Sequence, residues 1–194
     1  MFNIPCVIFA GGRSSRMGED KALLPFGDFE TLTQYQLSRL EKIFKTVYIS
    51  TKSKDKFNFE SNFIIDIKTD NIYAPTAGFL GVFETIKEDS FFALSVDAPF
   101  VSRKEILSII NADIKDSDAT VAKTDSGIQP MCGIYHRSLE NEFKKMLQED
   151  NHKLSYLLKS AKTTYVNFDD TKAFLNLNNP HEYTKAATII KAYK

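Results

Sequence analysis

The feature that most constrains this chain is a short apolar run, PCVIFA at positions 5–10, that ends directly in Gly11 and Gly12. Six residues are too few for a core helix and suit a strand buried on both faces. Strands of that kind belong to parallel sheets, whose neighbours are joined by crossover segments, usually helices. The following sequence supplies such segments. Residues 31–44 place Leu32, Tyr35, Leu37, Leu40, Ile43 and Phe44 at roughly helical spacing. Apolar runs at 47–50 and 63–67 predict two more strands, 77–87 a helix, and 91–96 a fully apolar strand. A helix over 103–111 has Ser102 before it as a plausible N-cap.

The β-α-β-β-α-β-α order of the first ~110 residues predicts an α/β fold: one Rossmann-like domain, mostly parallel, with helices on both faces of its sheet. The second part adds strands at 119–123 and 131–135 around the turn Asp125-Ser126-Gly127, a small antiparallel excursion. Helices are expected at 137–149 and 154–159, a strand at 163–167, and a last helix from Pro180, a favourable first-turn residue. No repeat or linker interrupts residues 1–194, so one domain is expected.

Lys plus Arg and Asp plus Glu each total 25, a net charge of zero. Bulk charge therefore draws the chain to neither nucleic acid nor acidic membrane, and any anion site must be built locally. No apolar run approaches the ~20 residues of a membrane span, and the N-terminus lacks a basic leader. Cys6 and Cys132 both lie in apolar runs. They are expected to be buried free thiols, which suits a reducing cytoplasm.

The loop after the first strand reads AGGRSSRMGEDK over residues 10–21. Gly-rich backbone can turn its N–H groups inward around an anion. Arg13 and Arg16 offer forked donors to phosphate oxygens, and Lys21 a mobile point charge. The loop therefore suits a polyphosphate, beyond the carboxyl end of a strand where open α/β sheets bind ligands. It is not a Walker loop, because Gly18 is followed by Glu19-Asp20-Lys21, and the G-x-G-x-x-G dinucleotide fingerprint is missing. The competing reading is a basic surface loop.

The 91–96 run leads into Asp97-Ala98-Pro99-Phe100. A carboxylate there faces the same crevice and suits Mg²⁺, which needs few protein ligands when phosphates supply the rest. Pro99 is expected to stop the strand and bring Asp97 to the mouth of the site. An aspartate that merely caps a turn is the alternative. His136, His152 and His181 lack metal-like spacing and are expected to be ordinary surface or helix-end residues. No Ser-His-Asp arrangement is visible.

The segment AGGRSSRMGEDKALL resembles the N-terminal signature of the molybdenum cofactor guanylyltransferases, L-A-G-G-x-S-x-R-M-G-x-D-K-x-L-L, with Phe9 where Leu is usual. Asp97-Ala98-Pro99-Phe100 is similar to that family's C-D-x-P-[FY], with Ser95-Val96 before the Asp. The stretch from Asp70 through Ala74-Pro75-Thr76-Ala77-Gly78 is similar to its D-x-x-x-x-x-G-P-L-A-G segment. Asn176-Leu177-Asn178-Asn179-Pro180 resembles N-[VI]-N-T-P. Gln129-Pro130 stands where the family often has His-Pro, and Ser50 where some relatives place Asn.

The resemblance implies that GTP donates GMP to molybdopterin, forming the guanine dinucleotide cofactor and releasing pyrophosphate, with Mg²⁺ on Asp97. It implies nucleotide contacts from Phe9, Ala10, Gly11, Gly12, Lys21, Asp70 and Asp97, and a catalytic set of Arg16, Lys21 and Asp97. Gly78, Asn176 and Asn178 are implied to serve the acceptor or support the site. Residues 1–110 would then bind nucleotide and 111–194 the acceptor. Transient contact with other proteins of cofactor biosynthesis is also implied. Relatives that use CTP commonly have L-A-A-G, so the missing Cβ at Gly11 offers room for a purine. A transferase using CTP or another triphosphate, and a non-catalytic GTP-binding module, remain the alternatives.

Overall fold

Each apolar run expected to be a strand is one, and the strands share a single sheet. The computed structural model describes residues 1–12, 18–68 and 75–192. The strands are β1 (Cys6–Phe9), β2 (Val47–Thr51), β3 (Asn62–Ile65), β4 (Ser90–Ser95), β5 (Ala119–Thr124), β6 (Gly127–His136) and β7 (Thr163–Asn167). Their spatial order is β3-β2-β1-β4-β6-β5-β7. β1 pairs in parallel with β2 and β4, β2 with β3, and β5 with β7. Only β6 runs against its neighbours β4 and β5, which is the antiparallel excursion.

From β1 the chain builds outward through β2 and β3, then returns to place β4 on the other side of β1. The strand order thus reverses between β1 and β4, and open α/β sheets bind ligands at such a switch point.

The helices are α1 (Leu32–Leu40), α2 (Pro75–Thr85), α3 (Arg103–Ala112), α4 (Glu140–Gln148), α5 (Leu154–Ser160) and α6 (Pro180–Ala192). Alternation along β1 sends Cys6, Ile8 and Ala10 into one apolar layer and Val7 and Phe9 into the other. The first layer holds Leu32 and Leu40 of α1, Ile106 and Ile109 of α3, and Ala186 of α6. The second holds Phe79, Leu80 and Phe83 of α2, Phe143 of α4, and Leu157 of α5. Phe79 stacks on Phe9 at 4.7 Å and on Phe143 at 4.5 Å. Helices therefore cover both faces, as the sequence pattern predicts. Cys6 and Cys132 are buried and free.

Local chemistry sets the element boundaries. Thr31 and Gln34 form a capping box at the start of α1, and Ser102 and Glu105 form another at α3. At α6, Asn179 Oδ1 accepts from the Glu182 N–H, and Glu182 Oε2 accepts from the Asn178 N–H. The expected 31–44 helix stops at Leu40 because the N-terminal segment takes over the backbone: Phe2 N–H donates to Ile43 O, and Lys45 N–H to Phe2 O. The expected 137–149 helix divides into a 3-10 turn, Arg137–Leu139, and α4. The Arg137 guanidinium is anchored there on the carbonyls of Phe83, Ile86 and Glu88.

β6 is longer than expected and includes Gln129 and Pro130. Its pairing with β5 jumps from Val121↔Gly133 to Ala122↔Gln129. Pro130 has no N–H for a ladder, and a bulge is where a sheet accommodates such a residue. Bulges also re-aim side chains beside sites, and this one lies next to Asp97.

Candidate active site

β1 and β4 end side by side, with Phe9 opposite Ser95. Beyond them opens a cavity of about 230 Å³ lined by Phe9, Ala10, Gly11, Gly12, Asp20, Lys21, Ala22, Ser50, Asp66, Pro75, Gly78, Ser95, Val96, Asp97 and Met131. A second cavity of about 200 Å³ adjoins it, sharing Ser95, Asp97 and Met131 and adding Gln129, Pro130, Phe174 and Asn176. Asp97 stands at the boundary between the two.

The strand beneath Asp97 ends earlier than expected. β4 stops at Ser95, and the Ala98 N–H closes a turn onto Ser95 O. A turn at Val96-Asp97, rather than Pro99, lifts the carboxylate into the cavity. Its Oδ1 accepts from Ser95 Oγ at 2.6 Å, and its Oδ2 pairs with Lys21 Nζ at 2.6 Å. The Asp97 carbonyl accepts from the Leu177 N–H at 2.9 Å, which ties the turn to the segment carrying Asn176.

Lys21 opens a 3-10 turn, Lys21–Leu23, capped by Asp20. The other Asp20 oxygen pairs with Lys56 Nζ at 2.7 Å, and Lys56 also donates to Ala10 O at 3.0 Å. Lys56 therefore ties the first loop together from outside the cavity.

The cavity contains a second carboxylate, Asp66, just past β3. It is buried, and Ser50 Oγ donates to its Oδ1 at 2.7 Å. Burial raises its carboxyl above the usual carboxylate range, partly offset by the Ser50 hydrogen bond and by Lys52 and Lys56. Gly11 exists here to admit that carboxylate: a Cβ on residue 11 would lie 2.4 Å from Asp66 Oδ2. This corrects the reading of Gly11 as spare room for a purine, since Asp66 already fills the space. Gly78 on α2 is also close-packed, though less tightly, with its Cβ position 2.9 Å from Ser50 Oγ and 3.1 Å from the Phe9 ring.

The structure thus brings together Phe9, Ala10, Gly11, Gly12, Lys21, Gly78 and Asp97. Asn176 faces the adjoining cavity, whereas Asn178 is exposed and lines neither. Arg16 and Asp70 lie outside the described residues. His136 pairs with Asp113 at 3.0 Å, and His152 bridges Thr76 and Asp150, so both are engaged rather than plain surface groups.

Among the described residues no group of three or more His, Cys, Asp or Glu side chains could enclose a metal. A single carboxylate at an open cavity nevertheless fits Mg²⁺, which retains waters and takes phosphate oxygens. The Lys21 ammonium already rests on Asp97 Oδ2, so that oxygen is presented to a cation.

Residues 6–164 match the MobA-like NTP transferase domain. The chain belongs to that family. A molybdenum cofactor guanylyltransferase of Campylobacter jejuni subsp. doylei is 38% identical over 186 residues, covering 96% of each chain. One from Helicobacter pylori is 34% identical over 194 residues, covering 97% of this chain and 94% of that one. The crystal structure of molybdopterin-guanine dinucleotide biosynthesis protein A from Archaeoglobus fulgidus superposes with a TM-score of 0.79. That likeness covers 97% of this chain and all of that one at 17% identity, and it shows the shared fold. Family membership carries nucleotidyl transfer as the chemistry of the chain.

Sequence reasoning missed Asp66, Ser95, Lys56 and Met131. A signal for Asp66 was present: it is the one charged residue inside the 63–67 run, and β3 ends at Ile65 just before it. Nothing local marked Lys56, whose role depends on contacts across 36 and 46 residues of chain.

Proposed function

We propose that the chain transfers GMP from GTP to molybdopterin, forming the guanine dinucleotide cofactor and releasing pyrophosphate. The observation that carries this reading is the Lys21–Asp97 pair standing over the glycine loop at the β1/β4 switch point. Two nearly full-length relatives named for guanylyl transfer support the choice of substrates.

In this reading the triphosphate lies along Gly11 and Gly12, and Lys21 leaves Asp97 for its phosphate oxygens. Ser95 keeps the freed Asp97 carboxylate oriented, and Asp97 holds Mg²⁺. When bound, the ion neutralises charge on the phosphate oxygens. The acceptor enters through the adjoining cavity, past Gln129, Met131 and Asn176. Its terminal phosphate is already anionic at neutral pH, so the chain needs no general base, and catalysis rests on alignment and electrostatics. Asp66 lines the nucleotide end, where its oxygens and Ser50 can read polar edges of the base.

The test is incubation of purified protein with each of the four triphosphates, Mg²⁺ and molybdopterin, followed by assay of pyrophosphate and dinucleotide. Product from GTP alone is expected. Faster turnover with CTP would transfer the reading to a cytidylyl enzyme, and GTP binding without turnover would overturn catalysis.

A further inference from the structure

Helix α1 carries polar side chains at a spacing of three: Thr33, Gln36 and the half-buried Arg39. Thr33 and Gln36 are both fully buried. Buried amides and hydroxyls are costly unless hydrogen-bonded, so their partners show what the helix holds.

Thr33 Oγ1 donates to Ala22 O at 2.7 Å, inside the 3-10 turn that carries Lys21. One turn further along, Gln36 Nε2 donates to Val96 O at 3.1 Å and to Ser95 O at 3.3 Å, the two carbonyls immediately before Asp97. Its Oε1 accepts from Arg39 Nε at 2.5 Å. Arg39 then donates to Val101 O at 2.5 Å and to Ala98 O at 3.5 Å, on the far side of Asp97. Among the described residues no carboxylate forms an ion pair with Arg39. Its guanidinium is spent on the Gln36 amide oxygen and on two carbonyls beyond Asp97, so Gln36 and Arg39 together bracket one turn.

Lys21 and Asp97 are 76 residues apart and come from separate elements, yet their charged atoms meet at 2.6 Å. The same face of α1 grips the backbone under each. We propose that Thr33, Gln36 and Arg39 are positioning residues that hold the Lys21 turn and the Asp97 turn at their working separation. They act through backbone and touch no substrate. The inference builds on the catalytic reading of Lys21 and Asp97 given above.

The experiment compares Gln36→Met, which keeps length and volume but removes the donor and acceptor, with Thr33→Val, which removes only the hydroxyl. Amide hydrogen exchange and transfer kinetics are measured on each intact variant. In Gln36→Met the Ala98 and Leu177 amides are expected to lose about ten- to hundredfold protection, the size of an unmade buried hydrogen bond. The Ile8 and Phe92 amides of the central strands keep theirs. The kcat falls about tenfold while KM for GTP stays within about threefold, the pattern of lost alignment rather than lost binding. In Thr33→Val the protection loss moves to the Leu24 amide, which bonds Lys21 O. A uniform loss across the sheet would mean a merely structural role and overturn the proposal, as would unchanged protection at Ala98 and Leu177. Failure of the catalytic reading is separately visible, because Asp97→Asn would then retain turnover while the exchange pattern still reports on α1.

Discussion

Gly11 and Asp66 are packed so closely that a Cβ on residue 11 would stand 2.4 Å from Asp66 Oδ2. The glycine at the first loop and the acid beyond the third strand are therefore one feature, although 55 residues separate them in sequence. Asp66 cannot simply turn aside, because it is buried and held by Ser50. Gly11→Ala is expected to cost about 1–3 kcal/mol as overpacking. Asp66→Ala should remove most of that cost, giving a clear coupling in a double-mutant cycle followed by urea unfolding. Additive losses would mean that the two residues do not compete for space.

The same carboxylate makes stability depend on pH. Burial holds the Asp66 carboxyl above the usual range, so the folded protein keeps its proton where the unfolded chain has lost one. Between the ordinary aspartate value of about 4 and the raised value, the folded state binds more protons, and stability falls as pH rises. Above the raised value the loss is complete and constant. Asp66→Asn removes this term while leaving an oxygen for Ser50. Its stability relative to the wild type should therefore improve with rising pH across that window and level off beyond it. A constant difference from pH 4 to pH 8 would show that Asp66 is not perturbed.

Much of the fold was legible because its signals are local. Short runs of four to six residues gave the strands, helical spacing gave the helices, and Ser102 announced the α3 cap. Asp97 followed from the same logic, as a polar group placed where a strand delivers it, and Lys21 was singled out as the residue that closes the glycine-rich loop. What escaped the sequence was set by long-range competition. Helix α1 ends early because Phe2 pairs with the following turn, and β4 ends early because Val96-Asp97 forms a turn of its own. Gly11 read as empty space because the acid occupying it belongs to another strand. The role of the polar face of α1 was not legible at all, since nothing near Gln36 in sequence announces the carbonyls of Ser95 and Val96.

Two glycines of α2 separate space from flexibility. In a helix interior Gly→Ala gains about 1 kcal/mol of propensity. At Gly81 the added Cβ would sit 2.7 Å from Ile65 O, a backbone atom of β3. The helix must then move away from the sheet, and overpacking of about 1–3 kcal/mol outweighs the propensity gain. At Gly78 the obstacles are Ser50 Oγ and the Phe9 ring, side-chain atoms with more room to yield. Thermal unfolding should therefore rank Gly81→Ala below Gly78→Ala, with each kcal/mol moving Tm by about 2–4 °C in a chain of this length. The reverse order would contradict the tight contact between α2 and β3.

The charge on Asp97 separates a catalytic carboxylate from a structural one. Asp97→Asn keeps an oxygen for Ser95 Oγ, and its backbone carbonyl remains available to Leu177, so the turn has every reason to persist. It removes the anion that Lys21 pairs with and that Mg²⁺ would require. Pyrophosphate release is expected to fall about 10²–10³-fold, the scale seen when one preorganised electrostatic group is lost. Unfolding should remain close to wild type. Lys21→Ala differs in kind: it leaves the carboxylate intact and takes away a phosphate partner, so weaker GTP binding should accompany the lower rate. Isothermal titration with a non-hydrolysable GTP analogue, run beside the pyrophosphate assay, distinguishes the two. Near-normal turnover by Asp97→Asn in Mg²⁺ would remove Asp97 from the chemistry. Unchanged affinity and rate in Lys21→Ala would leave its ion pair with Asp97 as a structural contact alone.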